Sequence, residues 1–248
     1  FVIIQIGNRP DSEAFIKAKK SLANKIGIKE IHIHLEENVK QDEVIEIIDK
    51  YNNDKDVQGI IVQLPLPIHL NAETVIDSID PKKDIDGLTP FNIKRLVDGH
   101  DEATIPATAR GIRQLFKFYN IDIFGKKVTV LGRSTLVGKP VSLMCLNENA
   151  TVTICHSKTL NLEKETRNAD VLIVAIGKPH FINSKYVKKG QILIDIGITR
   201  DEGILKGDVD FDNVKDTVDM ITPVPGGVGQ MTVLALLENL IDACYNVK

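Results

Sequence analysis

The chain has 248 residues, 43% of them hydrophobic, with 31 basic and 34 acidic side chains giving a formal net charge of -3. That is enough apolar material for one large or two modest domains with a buried core. Charges of both signs are scattered along the chain, so nothing forms a basic footprint for nucleic acid or a polybasic patch for a membrane surface, and a small molecule is the expected partner.

No apolar run approaches the roughly 20 residues needed to cross a bilayer, so the expectation is a soluble protein. Cys145, Cys155 and Cys244 are too few and too widely spaced for a disulfide framework and form no CxxC pair, which fits a reducing, cytoplasmic compartment. The strand-like opening Phe1-Val2-Ile3-Ile4-Gln5-Ile6 suggests that the natural N-terminus lies upstream, and a removed targeting peptide stays open.

From the start, short β-branched runs alternate with helical patterns: strand 2–6, helix 11–26, strand 30–35, helix 40–52, strand 57–63 and helix 71–79. This rhythm predicts βαβ units and a parallel sheet. Consecutive apolar positions, as in Gly59-Ile60-Ile61-Val62, predict a sheet covered by helices on both faces and buried. After a polar stretch over 97–101, Ile112, Leu115, Phe116 and Tyr119 form an amphipathic face on a helix over 107–119, which we read as a bridge between domains. A second alternation follows, with strands 127–131, 151–155, 171–175 and 192–196 and helices 138–148 and 161–167, as in a nucleotide-binding domain. Met231 to Tyr245 is apolar on most sides and predicts a buried helix that returns to the first domain. The expected boundaries are therefore 1–105 for the first α/β domain, 106–230 for a Rossmann-type domain, and 231–248 for the returning helix.

Strand 127–131 runs into Gly132-Arg133-Ser134-Thr135-Leu136-Val137-Gly138-Lys139-Pro140, with glycine at the strand end and at a helix start. Glycine permits the tight turn and close backbone approach that a pyrophosphate on a helix N-terminus requires, although many strand–helix turns use glycine for geometry alone. An NAD-preferring domain places Asp or Glu some 20 residues further on for the ribose 2′-hydroxyl, whereas strand 151–155 runs into His156-Ser157-Lys158-Thr159 with no acid. Arg133, Lys158 and Ser157 favour a 2′-phosphate, hence NADP; the alternative is that they are solvated loop residues.

In helix 11–26, Ala14, Phe15, Ala18, Leu22 and Ile26 define an apolar arc, and Lys19 falls inside it. A desolvated ammonium has a lowered pKa and can exchange protons, which makes Lys19 a candidate catalyst; the alternative is a lysine at the arc's edge that reaches out to water. Gln63-Leu64-Pro65-Leu66-Pro67 sets an amide at the C-terminal end of a buried strand, where parallel sheets collect ligands. Asp84-Ile85-Asp86-Gly87 offers carboxylates suited to the N–H edge of a pterin, or else an ordinary Asx turn. The histidines show no ligand spacing, and no metal is expected.

Taken in order, Ser12-x-x-Phe15-x-x-x-Lys19, Gln63-Leu-Pro-Leu-Pro, Lys83-Asp-Ile-Asp86-Gly, Gly132-Arg-Ser-x-x-Val-Gly-x-Pro140, Ala150-Thr-Val-Thr-x-Cys-His-Ser157 and Pro223-Val-Pro-Gly-Gly-Val-Gly229 resemble the bifunctional methylenetetrahydrofolate dehydrogenase/methenyltetrahydrofolate cyclohydrolase family across essentially the whole chain. The resemblance implies a homodimer of two-domain subunits with folate in the cleft between domains. It also implies NADP⁺-dependent oxidation of 5,10-methylenetetrahydrofolate, then hydrolysis to 10-formyltetrahydrofolate, a one-carbon donor for purine biosynthesis. By resemblance Lys19 is the catalytic lysine, Gln63 its partner and Asp86 the pterin anchor. Ser12, Phe15, Leu64, Pro65, Gly226 and Gly227 fall to substrate, and Gly132, Arg133, Ser134, Val137, Gly138, His156, Ser157, Thr159 and Ile198 to cofactor.

The sequence departs from the family at Phe15, where tyrosine is usual, at Pro106-Ala107-Thr108-Ala109, where Pro-Cys-Thr-Pro is usual, and at Gly229-Gln230-Met231-Thr232, where Gly-Pro-Met-Thr is usual. These changes bear on the hydrolase step. They keep open a dehydrogenase without cyclohydrolase, beside a folate- and NADP-binding protein without chemistry and a Rossmann oxidoreductase for another small substrate.

Overall fold

The computed structural model describes residues 1–100, 103–201 and 203–245, so Asp101 of the polar stretch and the last three positions of the helix expected over 231–248 lie outside the described residues. The chain divides into two compact units, Phe1–Ala107 with Val233–Lys248, and Thr108–Thr232. Both are α/β with a parallel sheet, as the alternating pattern predicts. Among the described residues no helix is long and apolar enough to cross a membrane.

In the first unit the chain runs β1 (Val2–Ile6), α1 (Pro10–Lys25), β2 (Ile31–Leu35), α2 (Gln41–Asn52), β3 (Ile60–Val62), α3 (Ala72–Asp77) and α4 (Pro90–Asp98), and the strands lie in the order β2-β1-β3. Successive side chains of a strand point to opposite faces, so β1 feeds two cores at once. Val2, Ile4 and Ile6 pack with Val44 and Ile48 of α2 and Val75 of α3. Phe1 and Ile3 pack with Ile16 and Ala23 of α1 and with Leu236, Leu237 and Leu240 of the C-terminal helix. Burying each such aliphatic side chain contributes roughly 1.5–3 kcal/mol, which is why the central strand carries no polar residue except Gln5.

The chain continues through the second unit with α5 (Ala107–Phe118), β4 (Lys127–Leu131), α6 (Gly138–Asn147), β5 (Thr151–Cys155), α7 (Leu162–Asn168), β6 (Val171–Val174), β7 (Ile192–Asp195), the hairpin of β8 (Thr199–Asp201) and β9 (Ile204–Lys206), α8 (Phe211–Val214) and β10 (Met220–Ile221), and ends in α9 (Val228–Tyr245), which from Val233 onward belongs to the first unit. The parallel sheet of the second unit has the order β10-β7-β6-β4-β5. The direction of winding reverses at β4, which has β5 on one side and β6 on the other, and a reversal of this kind opens the crevice where open α/β sheets bind ligands.

Four expectations need correction. The first sheet is not wholly inside, because edge strand β2 leaves Ile31 40% exposed. On α1 the buried positions are Ser12, Ile16, Lys19 and Ala23, while Ala14, Ala18 and Ile26 are exposed. The helix docks through the longer Ile16 and leaves the small alanines outside, so the arc read from hydrophobicity alone is turned from the true one. On α5, Ile112 and Phe116 are buried but Tyr119 lies past the helix end and is exposed. On α9, Leu234, Ile241 and Tyr245 are exposed, so this helix has one buried face and is not buried all round.

Several elements were not anticipated. Helix α4 begins at Pro90, whose missing N–H costs nothing at a first helical position, and ends at Gly99 in the left-handed conformation. Only Asn92 and Leu96 of it are buried, too few to show as a period. The hairpin β8–β9, α8 and the two-residue β10 are likewise too short for a pattern to declare itself.

Candidate active site

Lys19 is the residue on which the first site turns. It sits two turns into the buried face of α1, 5% exposed, and its Nζ donates to Gln63 Oε1 at 3.1 Å. Gln63 follows β3 and is oriented from its other end, since its Nε2 donates to the Leu64 carbonyl at 2.9 Å. The ammonium therefore does not reach out to water. Burial pulls its pKa below the ordinary lysine range, and the Asp86 carboxylate opposes the shift. Burial also pushes the Asp86 carboxyl up, with Lys19 pulling it down and Asp84 adding to the rise. Desolvation thus brings base and acid toward one another, the condition under which a proton moves between groups near neutrality.

The two carboxylates of the 84–87 turn have separate employment. Asp84 is 2% exposed and accepts from the amides of Gly87 and Thr89, each at 2.8 Å, and from Asn92 Nδ2 at 2.9 Å. It is the Asx-type anchor of the turn, and it leaves Asp86 as the carboxylate facing Lys19. Asp84→Ala is expected to cost about 3–5 kcal/mol, because three donors lose their acceptor inside the fold. Asp86→Ala should cost less, since among the described residues no hydrogen-bond donor depends on it and Lys19, deprived of its opposing charge, can shed its proton; urea denaturation of the two variants measures the contrast. Around these residues Ser12 is buried, Phe15 and Leu64 are half-buried and Pro65 is exposed.

The second site lies at the reversal of the other sheet. Gly132 leaves β4 with φ 132°, and a Cβ there would stand 2.2 Å from the Ala175 carbonyl oxygen. At Gly138, where α6 begins, a Cβ would stand 2.4 Å from the Gly132 carbonyl oxygen. Only glycine fits either position, because the strand end, Ala175 and the start of α6 pack there backbone against backbone. Ser134 Oγ accepts from the amides of Val137 and Gly138, each at 3.2 Å, which orders the turn ahead of the helix. Beyond β5, His156 N donates to Thr159 Oγ1 at 2.9 Å, Thr159 N to the His156 carbonyl at 2.8 Å and Lys158 N to His156 Nδ1 at 3.1 Å. The turn so formed holds Ser157 and Lys158 outward, exposed like Arg133. A cradle closed to side chains, a helix N-terminus and exposed cations with hydroxyls suit a dinucleotide bearing a 2′-phosphate.

Of the remaining candidates, Ile198 is 39% exposed beyond β7. Gly226 and Gly227 follow a cis Val224–Pro225 peptide and line a cavity of about 430 Å³ with Tyr119, Met220 and Gln230. Asp195 and Asp208, both buried in this unit, drew no notice in the sequence. For Asp195 the signal is an aspartate closing the apolar run Ile192-Leu193-Ile194, whereas Asp208 stands in the polar stretch Lys206-Gly207-Asp208-Val209-Asp210 and carries no such mark.

Residues 1–86 match the tetrahydrofolate dehydrogenase/cyclohydrolase catalytic domain, and residues 106–248 match the NAD(P)-binding domain of the same family. The chain belongs to that family. It is 50% identical over 242 residues to the bifunctional protein FolD of Agathobacter rectalis, a match covering 97% of this chain and 86% of that one. The crystal structure of bifunctional FolD from Campylobacter jejuni superposes with a TM-score of 0.97 at 42% identity, covering 100% of this chain and 88% of the other. The Trypanosoma brucei FolD structure, complexed with NADP cofactor and inhibitor, gives a TM-score of 0.95 at 33% identity, covering 99% and 86%. As a member of the tetrahydrofolate dehydrogenase/cyclohydrolase family the chain is an enzyme, an oxidoreductase and hydrolase that uses NADP.

Proposed function

We propose that this enzyme oxidises 5,10-methylenetetrahydrofolate to the methenyl compound with NADP⁺ and hydrolyses that to 10-formyltetrahydrofolate, with Lys19, Gln63 and Asp86 as the catalytic group. The observation that carries the reading is the buried Lys19 bonded to Gln63 beside Asp86. A purely structural lysine would extend its amine to water.

Asp86 accepts hydrogen bonds from the N–H edge of the pterin and so fixes which way the ring faces. Ser12, Phe15, Leu64 and Pro65 of the first unit contact substrate. When bound, NADP⁺ supplies a hydride acceptor for the bridging methylene. Gly132, Val137 and Gly138 would hold the pyrophosphate, and Arg133, Ser134 and Ser157 the 2′-phosphate, with His156, Thr159 and Ile198 also facing the cofactor. In the hydrolytic step Lys19 Nζ, held by Gln63 Oε1, takes a proton from the water attacking the methenyl carbon and returns it to N5 as the C–N5 bond opens, while the remaining hydroxyl proton leaves to solvent as the formyl C=O forms. Phe15 keeps an aromatic face one turn before Lys19 but offers no hydroxyl to either proton transfer.

Following reduced cofactor and methenyl product separately, from methylenetetrahydrofolate and NADP⁺, tests both activities at once. Cofactor formed with persistent methenyl absorbance would reduce the enzyme to a dehydrogenase. We further expect kcat/KM for NADP⁺ to exceed that for NAD⁺ by at least about tenfold. Arg133→Ala should remove roughly 10–100-fold of NADP⁺ affinity while sparing NAD⁺, the range set by one or two charge-assisted hydrogen bonds. The reading extends to a cytoplasmic homodimer that feeds purine biosynthesis; light scattering of the purified chain checks the dimer.

A further inference from the structure

We propose that Asp195 and Asp208 form a positioning hub that sets the loops after β6 and β7 for the nicotinamide half of the dinucleotide. The proposal rests on the reading of the second unit as the NADP-binding unit.

Where parallel strands end, amides leaving the ladder need new acceptors. Here two carboxylates supply them. Asp208, fully buried, accepts from the amides of Ile176 at 2.6 Å, Gly177 at 3.0 Å and Lys178 at 2.6 Å. Asp195, the last residue of β7 and 3% exposed, accepts from the amides of Gly197 at 3.0 Å, Asp208 at 3.1 Å and Val209 at 3.0 Å. Its own amide donates to Thr222 Oγ1 at 2.8 Å, which brings in the segment after β10. Packing closes the hub, since a Cβ on Gly197 would stand 2.1 Å from Asp208 Cγ and one on Gly207 2.0 Å from Asp195 Oδ2.

Two buried carboxylates are a costly way to turn a corner that neutral residues can turn, and such costs collect at functional sites. Burial pushes the Asp195 carboxyl up to about 6, with three backbone donors opposing and the Asp208 charge adding to the rise. Among the described residues, Asp208 is the charged group acting on Asp195 from the elements packed around it.

The position of the hub assigns its task. A dinucleotide crosses a sheet of this kind at the reversal of strand order, between β4 and β6. The turn Gly132–Gly138 takes the pyrophosphate and the end of β5 the 2′-phosphate, so the ends of β6 and β7 remain for the other half. The loop held by Asp208 adjoins the pyrophosphate turn, because Ala175 is the residue that Gly132 approaches. Ile198, assigned to cofactor, follows the Gly197 amide held by Asp195.

Calorimetric titration of the full chain with NADP⁺ and with 2′,5′-ADP, which lacks the nicotinamide half, tests the hub. Asp195→Asn should weaken NADP⁺ by at least about tenfold and 2′,5′-ADP by less than about twofold, because a carboxamide replaces one acceptor oxygen. Thr222→Val should show the same selectivity with a smaller loss, and serves if the first variant does not fold. In the unsubstituted enzyme the ratio of the two affinities should fall as the pH is lowered from about 7.5 to about 5.5, and Asp195→Asn should be flat. For the pH series 2′-phospho-ADP-ribose replaces 2′,5′-ADP, whose free 5′-phosphate would itself titrate at about 6; it carries the 2′-phosphate and pyrophosphate of NADP⁺ without the nicotinamide, so the ratio cancels the phosphate titration. Equal losses for both ligands, or a ratio independent of pH, would overturn the hub. If the unsubstituted enzyme binds NADP⁺ but not 2′,5′-ADP, the assignment of the 2′-phosphate site fails, and the hub fails with it.

Discussion

Lys19→Met is expected to lower methenyl hydrolysis by about 10²–10⁴-fold, the usual worth of a general acid–base group, while dehydrogenation and NADP binding persist. The methionine matches the aliphatic length of lysine and suits the apolar surroundings of Ile16 and Ala23, so the fold is not strained. Stability provides a second readout. Burial lowers the folded-state pKa of Lys19 below that of the unfolded chain, so in the window between the two values the unfolded chain binds the additional proton. Stability therefore rises with pH through that window and levels off above 10.5, the ordinary lysine value. The Met variant should lack this rise and should equal or exceed the original stability near neutrality. Undiminished hydrolysis by the variant, followed by methenyl absorbance, would remove Lys19 from the mechanism.

Gly132→Ala should remove at least about 100-fold of NADP⁺ affinity and cost about 1–3 kcal/mol of stability. The added methyl group would stand 2.2 Å from the Ala175 carbonyl oxygen, a backbone atom of the neighbouring strand end, so either β4 and β6 part or the turn is rebuilt. Gly125→Ala is the internal comparison. Gly125 also has positive φ, at 68°, but a Cβ there meets nothing within 4 Å. It should cost about 1 kcal/mol from backbone strain alone and leave cofactor binding untouched. Equal effects of the two on calorimetric NADP⁺ binding would mean that the close approach at Gly132 has no part in the cradle.

The long periodic elements were legible because their patterns are local. Apolar runs over 2–6, 127–131 and 151–155 coincide with β1, β4 and β5, and glycines 132 and 138 stand at the strand end and helix start where the sequence set them. Short pieces such as α4 and β10 escaped notice, since nine residues with two buried positions, or a two-residue strand, carry too little pattern to rise above loop sequence.

By itself the sequence determined the α/β class, the phosphate turn, the absence of an acid after β5 and the presence of a lysine within a mostly apolar helix face, all properties of neighbouring residues. Tertiary structure alone decided which face of α1 is buried, because docking depends on the sheet and α9 against which Ile16 packs. It likewise divided Asp84 from Asp86, since the donors that claim Asp84 come from Thr89 and from Asn92 on a helix with no sequence signature. The hub of Asp195 and Asp208 joins segments about a dozen to three dozen residues apart, and such pairings exist only once strand ends have been brought side by side.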